Sequence, residues 1–215
     1  PVAGAHAWST APLPVLARLV CPAAPAAVLE AAQRLEFRAL TLVYLVVARS
    51  RFTEFDAHYF PGPEVPFSRV SEPKNYRDSA DDPTDRTVLC AEVPGSVGDA
   101  VWRASDVDLG TLVADGLERV GLPVGAVAEV TARRVPRAYP VYRVGFEPDF
   151  ELLDNWAGGS GVLTLGRQGL FAHDNTHHAL AMAWAAADAL GPDGEPDPEK
   201  WRAARERFRS HVVED

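Results

Sequence analysis

The feature that most constrains the fold is a run of 14 residues, EFRALTLVYLVVAR at positions 36–49, which contains neither glycine nor proline. Its Val, Leu, Phe and Tyr content predicts a long and largely buried strand. Shorter segments of the same character follow at 57–60, 67–73 and 87–94, and loops rich in proline and polar residues separate them. Because no regular strand–helix–strand alternation connects these segments, we expect a mostly antiparallel sheet.

Helical patterns collect towards the two ends of the chain. Pro12 and Pro25 mark the first turns of two short helices, and Ser105 is placed to cap an amphipathic helix over 105–120. The other predictions are a strand and extended Pro segment at 126–144, helices at 146–158, 177–190 and 197–215, and a strand at 161–166. The sequence therefore predicts an α+β fold, with a mostly antiparallel sheet of about five or six strands and flanking helices.

Composition narrows the possible partners and the compartment. The net charge of -9 argues against nucleic acid as the main partner, because its backbone requires clustered cations. Cys21 and Cys90 form no CxxC pair, so a reducing, cytoplasmic location is expected. The longest apolar run is far shorter than the roughly 20 residues of a membrane helix. No GxGxxG follows a strand, so the chain carries no Rossmann fingerprint of its own.

The segment GRQGLFAHDNTHHAL at 166–180 is the main candidate for a functional site, since it holds three of the six histidines. His173 and His177 have the spacing that brings two metal ligands onto one helical face. However, Asp174 or Asn175 is the natural N-cap of the following helix, which leaves His173 outside it. No HExxH motif is present, and we predict no metal site. A second interpretation, that these histidines are ordinary polar residues around a helix start, stays open.

A third interpretation uses the order of elements in this segment. A strand runs into Gly-Arg, a turn, a polar cap and a helix rich in small residues. The start of a helix presents unpaired N–H groups and the positive end of its dipole. Small side chains let a flat ring approach closely. Such a site suits an electron-rich edge, for example the N1–C2=O edge of a flavin, where negative charge develops on reduction.

The sequence GRQGLFAHDNTHHALAMAWAAADAL resembles the C-terminal flavin-binding segment of FAD-dependent amine-oxidase-like proteins. Within these proteins it resembles the branch that contains protoporphyrinogen-oxidase-like proteins and UDP-galactopyranose mutase. AYPVYRVGFEPDFELLDNW resembles the segment that precedes the Gly-Arg turn. EFRALTLVYLVV and TVLCAEV resemble strands of the substrate domain, and AHAWSTAPLPVL resembles the strand and turn that close the N-terminal flavin domain. The resemblance spans about residues 5–191.

The resemblance implies roles for the residues around the turn. Gly166 and Arg167 belong to the turn along the flavin, with the guanidinium near the cofactor or its substrate. His173 fills a slot where an aromatic residue often faces the substrate. The pKa of an unperturbed histidine side chain suits proton transfer near neutral pH, which makes His173 the one candidate for a catalytic acid or base.

The resemblance also implies that FAD meets the start of the last flavin helix. Asn175 and Thr176 lie at that start, where backbone N–H groups approach the flavin N1 and O2 atoms. His177 occupies the slot of an aspartate, and Thr176 stands where the family has methionine. These residues, together with Gly166 and Arg167, are the expected cofactor-binding residues.

Three further residues are candidates for substrate contact. Tyr139 and Tyr142, in AYPVYR, could line the flavin face on which the substrate lies. Packing of both rings at the end of a strand is an equally good interpretation. Arg69 lies on a strand next to the one that carries Glu92, where it either serves a polar substrate or forms a solvated cross-strand pair.

Such enzymes begin with a Rossmann unit of about two hundred residues, which this sequence lacks. The sequence also starts at Pro1 without a methionine. We therefore expect a fragment or one half of a split enzyme, with a remnant used without FAD as the third alternative. The expected segments are the end of a flavin domain with entry helices (1–34), a substrate domain (35–145), a C-terminal flavin segment (146–191) and a terminal helix (192–215).

The resemblance predicts part of an FAD-dependent oxidoreductase of amine-oxidase type, in which the flavin takes a hydride from a small organic substrate. A flavin-dependent mutase acting on a nucleotide sugar is one alternative, for which Arg69, Arg143 and Arg167 are available. A non-catalytic subunit that completes a separate polypeptide with the Rossmann half is the other.

Overall fold

The structure is a computed structural model that describes Gly4, residues 6–211 and Val213. The strands within these residues are β1 (Ala7–Ser9), β2 (Glu36–Val47), β3 (Ala57–Tyr59), β4 (Arg69–Ser71), β5 (Thr87–Gly95), β6 (Val127–Val141) and β7 (Val162–Thr164). The helices are α1 (Leu13–Leu19), α2 (Ala26–Arg34), α3 (Ala100–Arg103), α4 (Asp106–Arg119), α5 (Glu147–Gly159), α6 (Gly166–Gly169), α7 (Thr176–Asp188) and α8 (Pro198–Phe208), with a 3-10 turn at Pro73–Tyr76.

The predicted α+β class is confirmed. Five strands form an antiparallel sheet in the order β3-β4-β5-β2-β6, and β1 and β7 form a separate two-stranded parallel sheet. The chain divides into two compact units. One, the outer unit, contains Pro1–Phe37 and Tyr139–Asp215, and the other, the inserted unit, contains Arg38–Ala138. The four-segment division expected from the sequence stays a prediction.

The core of the inserted unit is built on β2, as its composition predicted. Alternate residues of β2 point to one face of the sheet, and Val43, Leu45 and Val47 are all fully buried there. Helix α4 contributes its apolar stripe to the same core, including Leu109 and Val113. The expected cap of α4 is confirmed, because the Ser105 hydroxyl accepts a hydrogen bond from the backbone N–H of Asp108 at 3.1 Å.

The core of the outer unit forms where α1, α2 and α5 pack together. Small residues at the contact, Ala31 and Ala157, are fully buried and allow these helices to approach closely. At the edge of this contact the Arg34 guanidinium forms a two-pronged ion pair with Asp149, at 2.8 Å from Nε to Oδ2. That bond lowers the pKa of the Asp149 carboxyl. The pair is partly exposed, so packing rather than charge holds these helices.

The structure differs from expectation in three places. β6 continues through Pro136, because β6 is an edge strand and a missing N–H there need not break a ladder bond. The terminal helix, expected over 197–215, ends at Phe208. Residues 212, 214 and 215 of that expectation lie outside the described part of the chain. The short helices α3 and α6 were not predicted, since one turn is too short to show helical periodicity.

Two helical glycines, one in a crowded position and one in open space, provide a test of the packing. A Cβ added at Gly116 of α4 would lie 2.6 Å from the Phe67 ring, which is itself buried, whereas one at Gly158 of α5 would meet no atom within 4 Å. We expect Gly116→Ala to destabilise the protein by about 1–3 kcal/mol. Gly158→Ala should stabilise it by about 0.4–1 kcal/mol, through the lower entropy of the unfolded chain. Urea unfolding measures both, and shifts in the same direction would contradict this packing.

Candidate functional site

The segment that leads to α7 begins with a tight turn at which the backbone requires two glycines. Gly166 adopts a φ of 77°, which favours glycine, and its N–H lies 3.2 Å from the sulfur of Met182. At Gly169 a Cβ would come within 2.9 Å of the Ser9 carbonyl oxygen at the end of β1. Both glycines are therefore required by the backbone path of the turn.

Arg167 closes the loop between this turn and α7. Its Nε donates to the backbone carbonyl of Asp174 at 2.7 Å, and its Nη2 donates to the same oxygen. The guanidinium also lies over the ring of Tyr139, 5.0 Å from the ring centre. Arg167 thus connects the loop to the end of β6, which makes it a positioning residue in this structure.

His173 lies on the exposed side of the same loop. Its Nε2 is 2.8 Å from the carbonyl oxygen of Pro140, and because a carbonyl only accepts, the geometry assigns the proton to Nε2. Its ring stacks on Tyr139, with centres 5.9 Å apart and planes 14° apart. Nδ1 has no hydrogen bond to a described residue, so it can accept a hydrogen bond from a ligand.

The hydroxyl of Tyr142 braces the loop. It donates to the carbonyl of Phe171 at 3.0 Å and accepts the backbone N–H of His173, also at 3.0 Å. Burial raises the pKa of Tyr142 above its ordinary value, and the hydrogen bond from His173 opposes that rise. The phenol therefore stays protonated at neutral pH and keeps both bonds.

A reciprocal capping box starts helix α7. The side chain of Asn175 accepts the backbone N–H of His178, and Nδ1 of His178 accepts the backbone N–H of Asn175 at 3.2 Å. The sequence-predicted N-cap is thereby confirmed. The N–H groups of Thr176 and His177 have no intrahelical partner and no hydrogen bond to a described residue. Both residues are exposed, so these two donors are available to a ligand.

Four of the predicted site residues come together: Arg167, Tyr139, His173 and Tyr142 form one contiguous cluster. The start of α7 follows His173 closely in the chain. As the capping argument implied, His173 lies outside the helix, so its spacing to His177 does not place both on one helical face.

Arg69 is not part of that cluster. It belongs to the inserted unit, where its Nε donates to Glu92 Oε1 at 3.1 Å across the paired strands β4 and β5. The cross-strand pair weighed from the sequence is therefore present. Its Nη1 also lies 3.5 Å from the hydroxyl of Tyr59. The substrate role of Arg69 stays a prediction.

Sequence reasoning missed three features of this region. Phe171 is buried with a φ of 48°, a conformation rare for a bulky side chain. The residue Asp174, directly before the N-cap, is 4% exposed, whereas a charged residue at a helix start is ordinarily solvated. His178 replaces the Glu or Gln of the usual capping box, which a search for N-cap pairs three residues apart would have found.

Comparison with known proteins gives matches in structure alone, since no family model and no curated protein sequence matches the chain. Reduced UDP-galactopyranose mutase matches over 95% of this chain with a TM-score of 0.70 and 18% identity. A protein assigned as protoporphyrinogen oxidase, from Exiguobacterium sp. 255-15, matches over 95% with a TM-score of 0.55 and 16% identity. Putrescine oxidase bound to putrescine matches over 96% with a TM-score of 0.55 and 15% identity.

These matches confirm the resemblance stated from the sequence at the level of fold. The chain covers 45%, 40% and 43% of the three matched chains, so it spans less than half of each. It has the fold of a part of these amine-oxidase-like proteins. Among its described residues, no helix is both long and apolar enough to cross a membrane.

The two tyrosines of the cluster provide a matched test of the brace. Tyr142→Phe removes a hydroxyl with two partners and should destabilise the protein by about 1–2 kcal/mol. Because the folded-state pKa of Tyr142 is raised, the contribution of this hydroxyl is full below about pH 10 and is lost as pH rises through the folded pKa. Denaturant unfolding at neutral and alkaline pH measures it.

Tyr139→Phe is the control, since the Tyr139 hydroxyl has no hydrogen bond to a described residue and its ring contacts persist in the variant. We expect its unfolding free energy to match that of the parent chain at every pH. An equal loss of stability in the two variants would show that the Tyr142 bonds do not brace the loop.

Proposed function

We propose that this chain supplies the substrate domain and the C-terminal flavin-contacting segment of an FAD-dependent oxidoreductase of amine-oxidase type. In this reaction a hydride passes from a small organic substrate to the flavin. The observation that carries the proposal is the start of α7 beside the cluster of Arg167, Tyr139, His173 and Tyr142. Thr176 and His177 are exposed there, and their N–H groups have no hydrogen bond to a described residue.

The residues present fit a flavin edge at this position. The two free N–H donors and the positive end of the α7 dipole favour negative charge, which develops at N1 and C2=O of a reduced flavin. The capping box takes up the neighbouring N–H groups of Asn175 and His178, so the start of α7 is ordered before a ligand arrives. The alanines of α7 leave room for a planar ring.

The exposure of apolar side chains on α7 supports the presence of a further segment that covers this helix. Over residues 179–187 helix α7 is apolar on all sides, a composition typical of a helix that is buried on all sides. Met182 and Ala186 are buried, yet Leu180 is 57% exposed and Trp184 71%. The parallel pair β1–β7 has three residues per strand, and parallel sheets this small are not found uncovered. We propose that a Rossmann-type segment, on this or a second polypeptide, covers both.

The roles of the residues follow from their contacts. FAD, when bound, supplies the acceptor for the hydride. Thr176 and His177 hold the developing negative charge through their backbone N–H groups. His173 accepts or returns a substrate proton at Nδ1, while its Nε2–H stays on Pro140. The rings of Tyr139 and Tyr142 orient the substrate, and Arg167 fixes the loop that carries His173.

A flavin-dependent mutase that acts on a nucleotide sugar is the second candidate, favoured by the TM-score of 0.70 to UDP-galactopyranose mutase. Such an enzyme requires cations for a diphosphate. Arg143 forms a bidentate ion pair with Glu36, Arg69 pairs with Glu92, and Arg167 donates to the Asp174 carbonyl. Since all three guanidinium groups are already engaged, we favour the oxidoreductase. A cytoplasmic location is also proposed, supported by two free cysteines, Cys21 and Cys90.

Reconstitution tests the proposal as a whole. The chain is purified together with the GxGxxG-containing segment encoded in the same or a neighbouring gene, and FAD is added. We expect a bound-flavin absorption spectrum and bleaching of that spectrum by the substrate under anaerobic conditions. A complex that binds FAD but isomerises a nucleotide sugar would favour the mutase, and a complex that binds no FAD would contradict both.

Thr176→Pro tests whether the backbone N–H of Thr176 contributes to FAD binding. Proline is favoured at the first helical position, and the φ of -82° and ψ of 171° at Asn175 suit a residue that precedes proline. The variant therefore keeps the helix and loses one N–H donor. We expect FAD affinity of the complex to fall about tenfold, as for one hydrogen bond to an electron-rich acceptor.

Thr176→Ala is the matched control, because it removes the side chain and keeps the N–H. FAD affinity, followed by absorbance titration, should stay at the parent value in this variant. Equal affinity in the proline and alanine variants would exclude contact between this N–H and the flavin.

A further inference from the structure

Three side chains that can bind a metal converge at the start of α7. Asp174 precedes the helix, His178 lies in its first turn, and His211 follows the end of α8. Oδ1 of Asp174 is 3.4 Å from Nδ1 of His178 and 3.3 Å from Nδ1 of His211. One carboxylate oxygen therefore faces two imidazole nitrogens.

These distances fit the edges of a metal coordination shell. In a tetrahedron with bonds of about 2.1 Å to nitrogen and oxygen, neighbouring ligand atoms are about 3.4 Å apart. Both measured distances agree with that value. One candidate ligand atom from each of the three residues lies within 4.8 Å of those of the other two. The three candidate ligand atoms are therefore already close enough for side-chain rotations to bring them to one ion.

Burial provides a second and independent observation. The side chains of Asp174, His178 and His211 are 3%, 12% and 18% exposed. Oδ2 of Asp174 is buried and has no hydrogen-bond partner among the described residues. A buried carboxylate is costly unless a cation or hydrogen bonds compensate it, and native proteins rarely leave such an oxygen without a partner.

We infer that Asp174, His178 and His211 bind a divalent transition-metal ion of the zinc type. Two imidazoles and one carboxylate are donors that suit Zn²⁺, and they do not suit Ca²⁺ or Mg²⁺, which prefer shells of oxygen. Three protein ligands leave a fourth position for water. The ion would tie the segment after α8 to the first turn of α7. It would thus stabilise this part of the chain, and its binding would not require FAD.

Binding requires a defined rearrangement. The rings of His178 and His211 are stacked, with centres 4.3 Å and planes 14° apart, so both must tilt before their lone pairs meet at one ion. Coordination through Nδ1 of His178 also replaces the hydrogen bond from the N–H of Asn175. The ion compensates the Asp174 carboxylate in exchange, including the oxygen that lacks a partner.

The test uses the chain without an affinity tag, treated with a chelator and kept free of FAD. Titration with Co²⁺ should give the visible absorption bands of a four-coordinate site and saturate at one equivalent. Zn²⁺ should displace the Co²⁺ and raise the melting temperature in proportion to the logarithm of its concentration above Kd. Absence of saturable binding would overturn the inference and leave the flavin proposal untouched.

Three variants locate the site. His211→Ala and Asp174→Asn should each weaken Zn²⁺ binding by more than the roughly 10–100-fold that loss of an outer-shell partner costs. His211 lies outside a regular element, so its variant is expected to fold. His177→Ala is the control: its ring is 4.0 Å from that of His178, but His177 is not a member of the cluster. Its Zn²⁺ affinity should equal that of the parent, and retention of affinity in His211→Ala would overturn the inference.

Discussion

The C-terminal segment depends on the burial of one aromatic ring. Phe171 is 2% exposed although its φ of 48° carries a strain of order 1–3 kcal/mol. The rings of Phe37 and Phe146, with centres 5.1 and 5.7 Å away, hold it in the core of the outer unit. Burial of a phenylalanine contributes about 1.5–3 kcal/mol, enough to offset the strain. Because the backbone turns at Phe171, His173 reaches Pro140 and the chain enters α7 with a capped first turn.

Most of the fold could be predicted from the sequence because its main elements are defined by local patterns. β2 is rich in apolar residues and free of glycine and proline, α4 has a serine cap and an apolar stripe, and α7 follows a polar cap with a run of small residues. The sequence could not predict that β6 passes through Pro136. That outcome depends on the edge position of the strand, which only the pairing of the whole sheet determines.

The candidate site was predictable in its residue types and not in its contacts. The Gly-Arg turn and the N-cap follow from local chemistry, and they indicated the start of α7. Arg167 donates to the backbone carbonyl of Asp174, and no residue type in the sequence predicts that contact. His211 comes within 3.3 Å of Asp174 across 37 positions of sequence. Such a contact depends on how α8 packs, so a motif search around 166–180 could find at most two of the three ligands.

The two proposed sites share the first turn of α7 and act on the same electrostatic field. The carboxylate of Asp174 lies next to the N-cap, where its negative charge is attracted to the helix dipole and partly cancels the field available to an external ligand. An ion bound by Asp174 and the two histidines would neutralise that carboxylate. The exposed N–H groups of Thr176 and His177 would then present a stronger positive potential to an electron-rich edge. Metal binding on one side of this turn and flavin binding on the other should therefore favour each other, since any coupling between two sites is reciprocal.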